Sequence, residues 1–409
     1  GLSKMTGMLL KLTVLDQNLC AGCGACALVC PQQVIVFDPD RVVPLLEGIG
    51  DSCESCTECL AVCPGLQPDT DRSELELFGR TRRAEERWLG ISRQAIGARS
   101  TDPQIVRRSA SGGTATTLLL TAREHFDVDL TLTMGRHPGQ GWRSAPQLGS
   151  AAAAIINNAQ STYQLAPYLN ALRECYEQQP DARIAVVGLA CHVQAIRKLQ
   201  RRDTAIGHWA RSRIICVIET ACSSNTLPAG THSIISEVLG QDPQQVRDIK
   251  YREGDYPGRL QVTLLDSQTF GIDFWEILGK LKDNKTFRCL SCGDWMSGLA
   301  DVSVCDGDPN IFEASLNGSE EQKHGRALIR TEMGQALVDS AITHGRLESW
   351  GVDLGGFNLG LERKKNRRRF YETQPLVLPA GPGVGDHFED EALVDDAELI
   401  NPAKYRSSP

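Results

Sequence analysis

The chain has 409 residues, 41% hydrophobic and 23% charged, which suits two or three globular domains with buried cores rather than a disordered segment. Its formal net charge of −8 argues against a nucleic-acid binder, whose contact face carries an excess of Lys and Arg. No apolar run approaches the roughly 18 residues needed to cross a bilayer, and Lys11 and Asp16 interrupt the stretch from Met8 to Leu19, so a cytoplasmic protein without a membrane span is expected.

Residues 5–66 form a cysteine-rich unit with an internal repeat. Cys20, Cys23, Cys26 and Cys30 precede Pro31, and Cys53, Cys56, Cys59 and Cys63 precede Pro64, so each run reads C-x2-C-x2-C-x3-C-P. With fifteen cysteines and no export signal, the setting is a reducing one, where such spacing reads as metal ligation rather than disulfide bonding. Three closely spaced thiolates wrap one face of a cubane, and the x3 step starts a helix that carries the fourth cysteine to the other cluster. The pattern predicts two [4Fe–4S] clusters, one on Cys20, Cys23, Cys26 and Cys63, the other on Cys53, Cys56, Cys59 and Cys30. The alternative is zinc, which takes paired CxxC hooks rather than two four-cysteine runs ending in Cys-Pro.

Residues 67–95 are charged and polar and read as a connecting segment containing helix. From 96 to 350 strands and helices alternate, as in an α/β domain. The turn from Ser109 to Thr114 opens a helix over 115–125; further helices are predicted over 163–179 and 193–200, and strands over 126–134, 183–189, 213–219 and 261–265. The fold class expected is α/β (α+β): a two-cluster ferredoxin-like domain followed by a domain with a mixed or largely parallel sheet. Residues 351–409, with a basic run from Arg363 to Arg369 and an acidic stretch from Asp386 to Glu398, are expected to form an irregular extension.

Seven cysteines remain. Cys191 and Cys222 each follow a predicted strand, and Cys289 and Cys292 form a CxxC pair, so the four can converge at one edge of a sheet, where open α/β folds place their sites. Cys175 and Cys216 read as small buried hydrophobes. The Ser109–Thr114 turn offers amides and hydroxyls to a phosphate at a helix N-terminus, or is a plain helix cap.

Together these motifs resemble the beta-subunit family of the hydrogenase that reduces the deazaflavin coenzyme F420. Its relatives include ferredoxin-dependent chlorophyll-pathway reductases and electron-input subunits of larger complexes. The resemblance covers about residues 15–350 and rests on Ser111-Gly-Gly-Thr114, Ser161-Thr-Tyr163, Gly188-Leu-Ala-Cys191, Cys222, Tyr251-Arg-Glu-Gly254, Cys289-x2-Cys292-Gly-Asp294 and Ala300-Asp-Val-Ser303. It implies FAD in the large domain beside a third [4Fe–4S] cluster held by Cys191, Cys222, Cys289 and Cys292. Ser111, Gly112, Gly113 and Thr114 would cradle FAD phosphates, with Ser161 and Tyr163 lining the site. Arg252 and Lys285 would meet flavin or an anionic substrate, or form ordinary ion pairs. His192 would serve as a proton source, or as a structural histidine. The chain departs from the family pattern at Cys305, which leaves the ligand set of the third cluster open.

Clusters pass single electrons and a flavin stores two. The function expected is therefore an iron–sulfur flavoprotein reductase that takes electrons from ferredoxin and acts on a small molecule. The alternative is an electron-transfer subunit of a larger complex that oxidises or reduces a deazaflavin coenzyme. A zinc-stabilised scaffold is a third class, and a homo-oligomer is compatible with the first two.

Overall fold

The short helices of the cysteine-rich unit stop where their sequence makes them stop. The computed structural model describes residues 5–46, 53, 56–307, 323–354 and 359–384. Helix α1 (Ala25–Val29) ends at Cys30 and α2 (Glu58–Val62) at Cys63, both extended, with ψ of 112° and 122°. Each cysteine precedes a proline, which disfavours the helical conformation for the residue before it. Between the helices lies a two-stranded ribbon, β1 (Val36–Phe37) and β2 (Pro44–Leu45).

The connecting segment is built into the fold. Its helix, Thr70–Phe78, carries the fully buried Glu74, which pairs at 2.5 Å with the buried Arg82. Then come β3 (Gln94–Ser100), α3 (Thr114–His125), β4 (Leu130–His137), β5 (Gln140–Gly149), β6 (Ile184–Gly188), α4 (Ala190–Gln200), α5 (Ala205–Arg213) and β7 (Ile214–Thr220). After an antiparallel sheet of β8 (Val246–Glu253), β9 (Arg259–Leu264) and β10 (Thr269–Asp273) come α6 (Phe287–Ser291), β11 (Val302–Asp306), β12 (Gly325–Ile329), α7 (Glu332–Thr343), β13 (Leu347–Gly351) and α8 (Leu359–Glu372).

Eight strands form the main sheet in the order β13-β3-β12-β11-β7-β6-β4-β5. The central β4, β6, β7 and β11 are parallel, and the flanking strands are antiparallel to their neighbours. Alternate residues face opposite sides. Ile184, Val186 and Val217 pack under α4 and α5 with Val193, Ile196, Trp209 and Ala210. Ala185, Cys216 and Ile218 face α3 and α7 through Leu118, Leu119, Leu337 and Val338. The cysteine-rich unit shares the first of these cores, contributing Ala25, Leu28, Val29 and Val62.

Two expectations are corrected. The helix predicted over 163–179 begins only at Tyr168, as a short 3-10 turn leading into Leu172–Gln178. The residues before it bond elsewhere: Leu165 N–H donates to the Thr226 carbonyl at 2.8 Å. The extension predicted to be irregular contains the fourteen-residue helix α8. The acidic stretch from Asp386 to Glu398 lies outside the described residues.

Candidate functional site

The structure brings the N-terminal cysteines together across their two runs. Burial pushes the Cys20 and Cys23 thiols up to about 12, and Cys63 adds to both shifts. Cys26 is raised well above its ordinary value by burial, then by Cys23, Cys20 and Cys63. Cys59 is likewise pushed up to about 12 by burial, with Cys56, Cys63 and Cys30 adding to it, and it packs against Cys30. Backbone amides reach the sulfurs: Gly22 N–H to Cys20 Sγ and Gly65 N–H to Cys63 Sγ, each at 3.4 Å. Among the described residues no three His, Cys, Asp or Glu side chains converge tightly enough to hold one metal ion. A cubane needs less convergence, because separate iron corners receive the thiolates, and metal binding deprotonates such thiols outright.

A second cysteine set lies at the carboxyl ends of the parallel strands. Cys191 sits in the first turn of α4, just past β6, and Cys222 lies two residues past the adjacent β7. Cys289 is in α6, started by Thr286, whose Oγ1 accepts from Cys289 N–H at 3.3 Å, and Cys292 ends that helix. Cys222 N–H donates to the Trp295 carbonyl at 2.9 Å, tying the two loops together. Burial raises the Cys191 thiol well above its usual value; Cys23, Cys222 and Cys289 add to this and Arg288 opposes it. Cys191 thus adjoins the first N-terminal set on one side and its own set on the other.

Below these loops Glu219, fully buried at the end of β7, accepts from Ser297 N–H at 3.0 Å, Ser297 Oγ at 2.6 Å and Ser303 Oγ at 2.6 Å. It anchors the loop after Cys292 to the strand that leads to Cys222.

A cavity of about 340 Å³ opens beside this second set and is lined by Cys222, Trp295 and Leu189. That size is within the range of small-molecule and cofactor sites. Ser111, Gly113, Thr114, Ser161, Tyr163, His192, Arg252 and Cys305 also line it. Gly113 is left-handed at φ +72°, and a Cβ there would come within 2.7 Å of Ile105 Cγ2. The turn thereby aims the N-terminus of α3 into the cavity, where Thr114 Oγ1 is buried and makes no hydrogen bond. Arg252 pairs with Asp306 at 2.9 Å; burial opposes its charge, but Asp306, Tyr163 and Tyr256 together outweigh that and the guanidinium stays protonated. The Tyr163 hydroxyl lies beside Arg252 and Ser161.

The family models fall on this architecture in register. The model for the coenzyme F420 hydrogenase/dehydrogenase beta-subunit N-terminus matches residues 95–173, and that for its C terminus matches 181–353, together more than half of the chain. The chain belongs to this beta-subunit family. A 4Fe-4S dicluster domain matches residues 19–65, the stretch that carries both N-terminal cysteine runs, which supports iron–sulfur clusters there. The coenzyme F420 hydrogenase subunit beta of Methanococcus voltae is 25% identical over 302 residues, covering 71% of this chain and 98% of that protein. One subunit of the F(420)H(2) dehydrogenase of Methanosarcina mazei is 24% identical over 375 residues, covering 88% and 94%. A chain in the F420-reducing [NiFe] hydrogenase complex of Methanosarcina barkeri shares the fold, with a TM-score of 0.54 at 21% identity, over 69% of this chain and 90% of that one.

Within this family frame, several residues stand differently from what the sequence led us to expect. Lys285 is not among the cavity-lining residues; it lies by Cys289, Cys222, Arg363 and Arg367, and burial lowers its pKa to about 8. His192 reaches the cavity wall as a helix cap, its Nδ1 accepting from Leu189 N–H at 3.0 Å. Burial lowers its pKa to about 3, which favours the neutral ring that this cap requires. Gly112 sits behind the cavity wall, packed on Ala98 and Gly325. Cys175 and Cys216, by contrast, lie in the apolar cores as the small buried hydrophobes expected of them.

The sequence reading missed four cations. Arg288, buried between the N-terminal and second cysteine sets, donates to the Gly65 and Pro64 carbonyls at 2.9 Å each. Lys198 donates to the Cys63 carbonyl at 2.7 Å. Lys364 and Arg367, on α8 beyond the family-matched residues, reach the Cys222 loop. Arg288 stands three residues after Lys285 and next to Cys289, and Lys364 and Arg367 lie in the basic run from Arg363 to Arg369, but nothing local ties any of them to the cysteines.

Proposed function

We propose that this chain is an iron–sulfur subunit that moves electrons between its N-terminal clusters and a two-electron partner bound at the cavity, as part of an F420-type oxidoreductase complex. The observation that carries this reading is the position of the second cysteine set: Cys191 adjoins Cys23 on one side, and Cys222 lines the cavity on the other. Cys191, Cys222, Cys289 and Cys292 would hold a third [4Fe–4S] cluster, and the cavity would hold FAD. The orphaned, buried Thr114 Oγ1 and the left-handed Gly113 turn fit a phosphate at the start of α3. Bound clusters would supply single electrons, and a flavin would exchange them in pairs.

The chain's own residues set the conditions. Glu219 holds the two cysteine-bearing loops in register. Arg252, fixed by Asp306 and by the Pro257 carbonyl at 2.8 Å, presents a guanidinium paired with a carboxylate at the cavity wall. Phe274, Trp275 and Leu278 give the same cavity an apolar side, which excludes water.

Metal, sulfide and flavin analysis of the anaerobically purified chain tests this reading. About twelve irons and one flavin per chain are expected, three cubanes of four irons each. About eight irons without flavin overturns the assignment of the second cysteine set and of the cavity. A second reading, a reductase acting alone, is favoured by a cavity lined by the residues of one chain. Turnover of an organic acceptor by the isolated chain with reduced ferredoxin would support it; turnover only after adding partner subunits would support the first.

A further inference from the structure

We propose that helix α8 is an electrostatic cap on the third cluster, and that Lys364 and Arg367 raise the reduction potential of that cluster. The inference rests on the assignment of Cys191, Cys222, Cys289 and Cys292 as its ligands. It concerns a helix that begins after residue 353, where the family models stop matching.

The packing of α8 puts it over these cysteines. Leu361 is fully buried against Trp88, Trp295 and Met296, and Tyr371 meets Phe287 of α6 edge-on at 5.4 Å. Lys364, only 2% exposed, donates from Nζ to the Cys222 carbonyl at 2.7 Å. Arg367 Nη2 donates to the Ser223 carbonyl, and Arg368 Nη1 to the Ser291 carbonyl at 3.0 Å, one residue before Cys292. Three basic residues on one helix thereby hold the two loops that carry Cys222 and Cys292.

The charges themselves need an anion. Arg368 has Glu372 at 2.7 Å and Lys365 has Glu362 at 3.4 Å. Among the described residues, Lys364 and Arg367 have no carboxylate partner, although Lys364 is buried and Arg367 partly so. Buried charges are ordinarily paired, because burial without a partner is costly. Groups able to carry negative charge lie close by: Cys222 and Cys292 are both in the field of Lys364 and Arg367. A cubane with four thiolates is a net anion that gains one more electron on reduction. Nearby positive charge stabilises the reduced form more than the oxidised form and raises the potential.

The test uses the full chain, purified anaerobically, as wild type, Lys364→Gln, Lys364→Arg and Arg367→Gln. Iron is counted first, and the reduced clusters are then titrated against potential by electron paramagnetic resonance. Wild type should hold about twelve irons. In Lys364→Gln and Arg367→Gln one of three potentials should fall, changing the reduced-to-oxidised ratio about tenfold at fixed poise, about 59 mV for a one-electron couple. Lys364→Arg should restore it, and the other two potentials should not move. If Lys364→Gln loses iron, Arg367→Gln decides the matter. Full iron with all three potentials unchanged in Arg367→Gln overturns the proposal. About eight irons in wild type would instead remove the third cluster, and the proposal with it.

Discussion

Single residues separate what serves the fold from what awaits a ligand. Thr114 is 5% exposed at the head of α3, yet its hydroxyl makes no hydrogen bond, a cost that a bound phosphate would remove. Thr114→Val keeps the shape and deletes the hydroxyl. Flavin affinity should fall about tenfold, about 1.4 kcal/mol, while folding stability stays within about 0.5 kcal/mol. Fluorescence titration with FAD and a urea melt check both parts; unchanged FAD affinity would take Thr114 out of the site. Lys323 shows the opposite economy, with its Nζ wholly engaged. It donates to the Ser109 carbonyl at 2.9 Å and to Val106 at 3.3 Å, under the same turn, and burial lowers its pKa to about 8 from an ordinary 10.5. Below pH 8 both folded and unfolded chains carry the proton. Between 8 and 10.5 only the unfolded chain keeps it, so unfolding takes up a proton and stability rises with pH. Wild type should gain on Lys323→Met in urea melts as pH rises through that window, since all other groups titrate alike in both. A flat difference would mean that the folded pKa is ordinary.

At the scale of elements, legibility followed how local the signal was. The two cysteine runs stood out because their spacing matches the two-cluster ferredoxin pattern, and Cys191 and Cys222 because each follows a short apolar strand. The segment around Tyr163 misled because its apolar spacing looks helical, while its hydrogen bonds go to Thr226 and, through Leu169, to the Cys23 carbonyl at 2.8 Å. The basic run of α8 reads as part of an irregular extension because the carbonyls that Lys364 and Arg367 bind, those of Cys222 and Ser223, are far away in sequence. A consequence at this scale concerns the turn before α3, which is wedged between strands. A Cβ on Gly112 would stand 2.6 Å from the Ala98 carbonyl oxygen and 2.7 Å from Gly325 N, all backbone, and Ser100 N–H already donates to the Gly112 carbonyl at 2.8 Å. Gly112→Ala must therefore push β3 and β12 off the turn, at a cost of about 1–3 kcal/mol. The variant should melt at a lower temperature by circular dichroism and hold flavin more weakly. Gly149→Ala, with nothing within 4 Å of its Cβ, is the control that should behave as wild type.

The whole molecule is stitched in a way that a division into ferredoxin unit, linker and sheet domain does not convey. Leu28, Val29 and Val62 share one core with Leu132, Val186 and Val193, so separating the units would expose side chains worth about 1.5–3 kcal/mol each. Arg288 and Lys198 reach from the sheet domain to the carbonyls of Cys63, Pro64 and Gly65. The segment between the units is held by a buried ion pair. Arg82 gives its Nε and backbone N–H to Glu74, Nη1 to the Arg87 carbonyl at 2.7 Å and Nη2 to the Ser297 carbonyl at 3.0 Å, so it also braces the loop below Cys292. Arg72, Arg80, Arg82, Arg83 and Arg87 make this stretch rich in trypsin sites. A flexible linker of that composition would be cut at once, releasing the N-terminal unit. The native chain should instead resist trypsin between residues 70 and 90, because cleavage requires a backbone that the buried pair holds in place. Glu74→Gln removes the anion and leaves Arg82 buried without it, a loss of about 3–5 kcal/mol for breaking such a pair. In that variant the segment should open and the N-terminal fragment should appear on a timed digest. Rapid release of the same fragment from wild type would show that the units are joined by a tether and not by a common core.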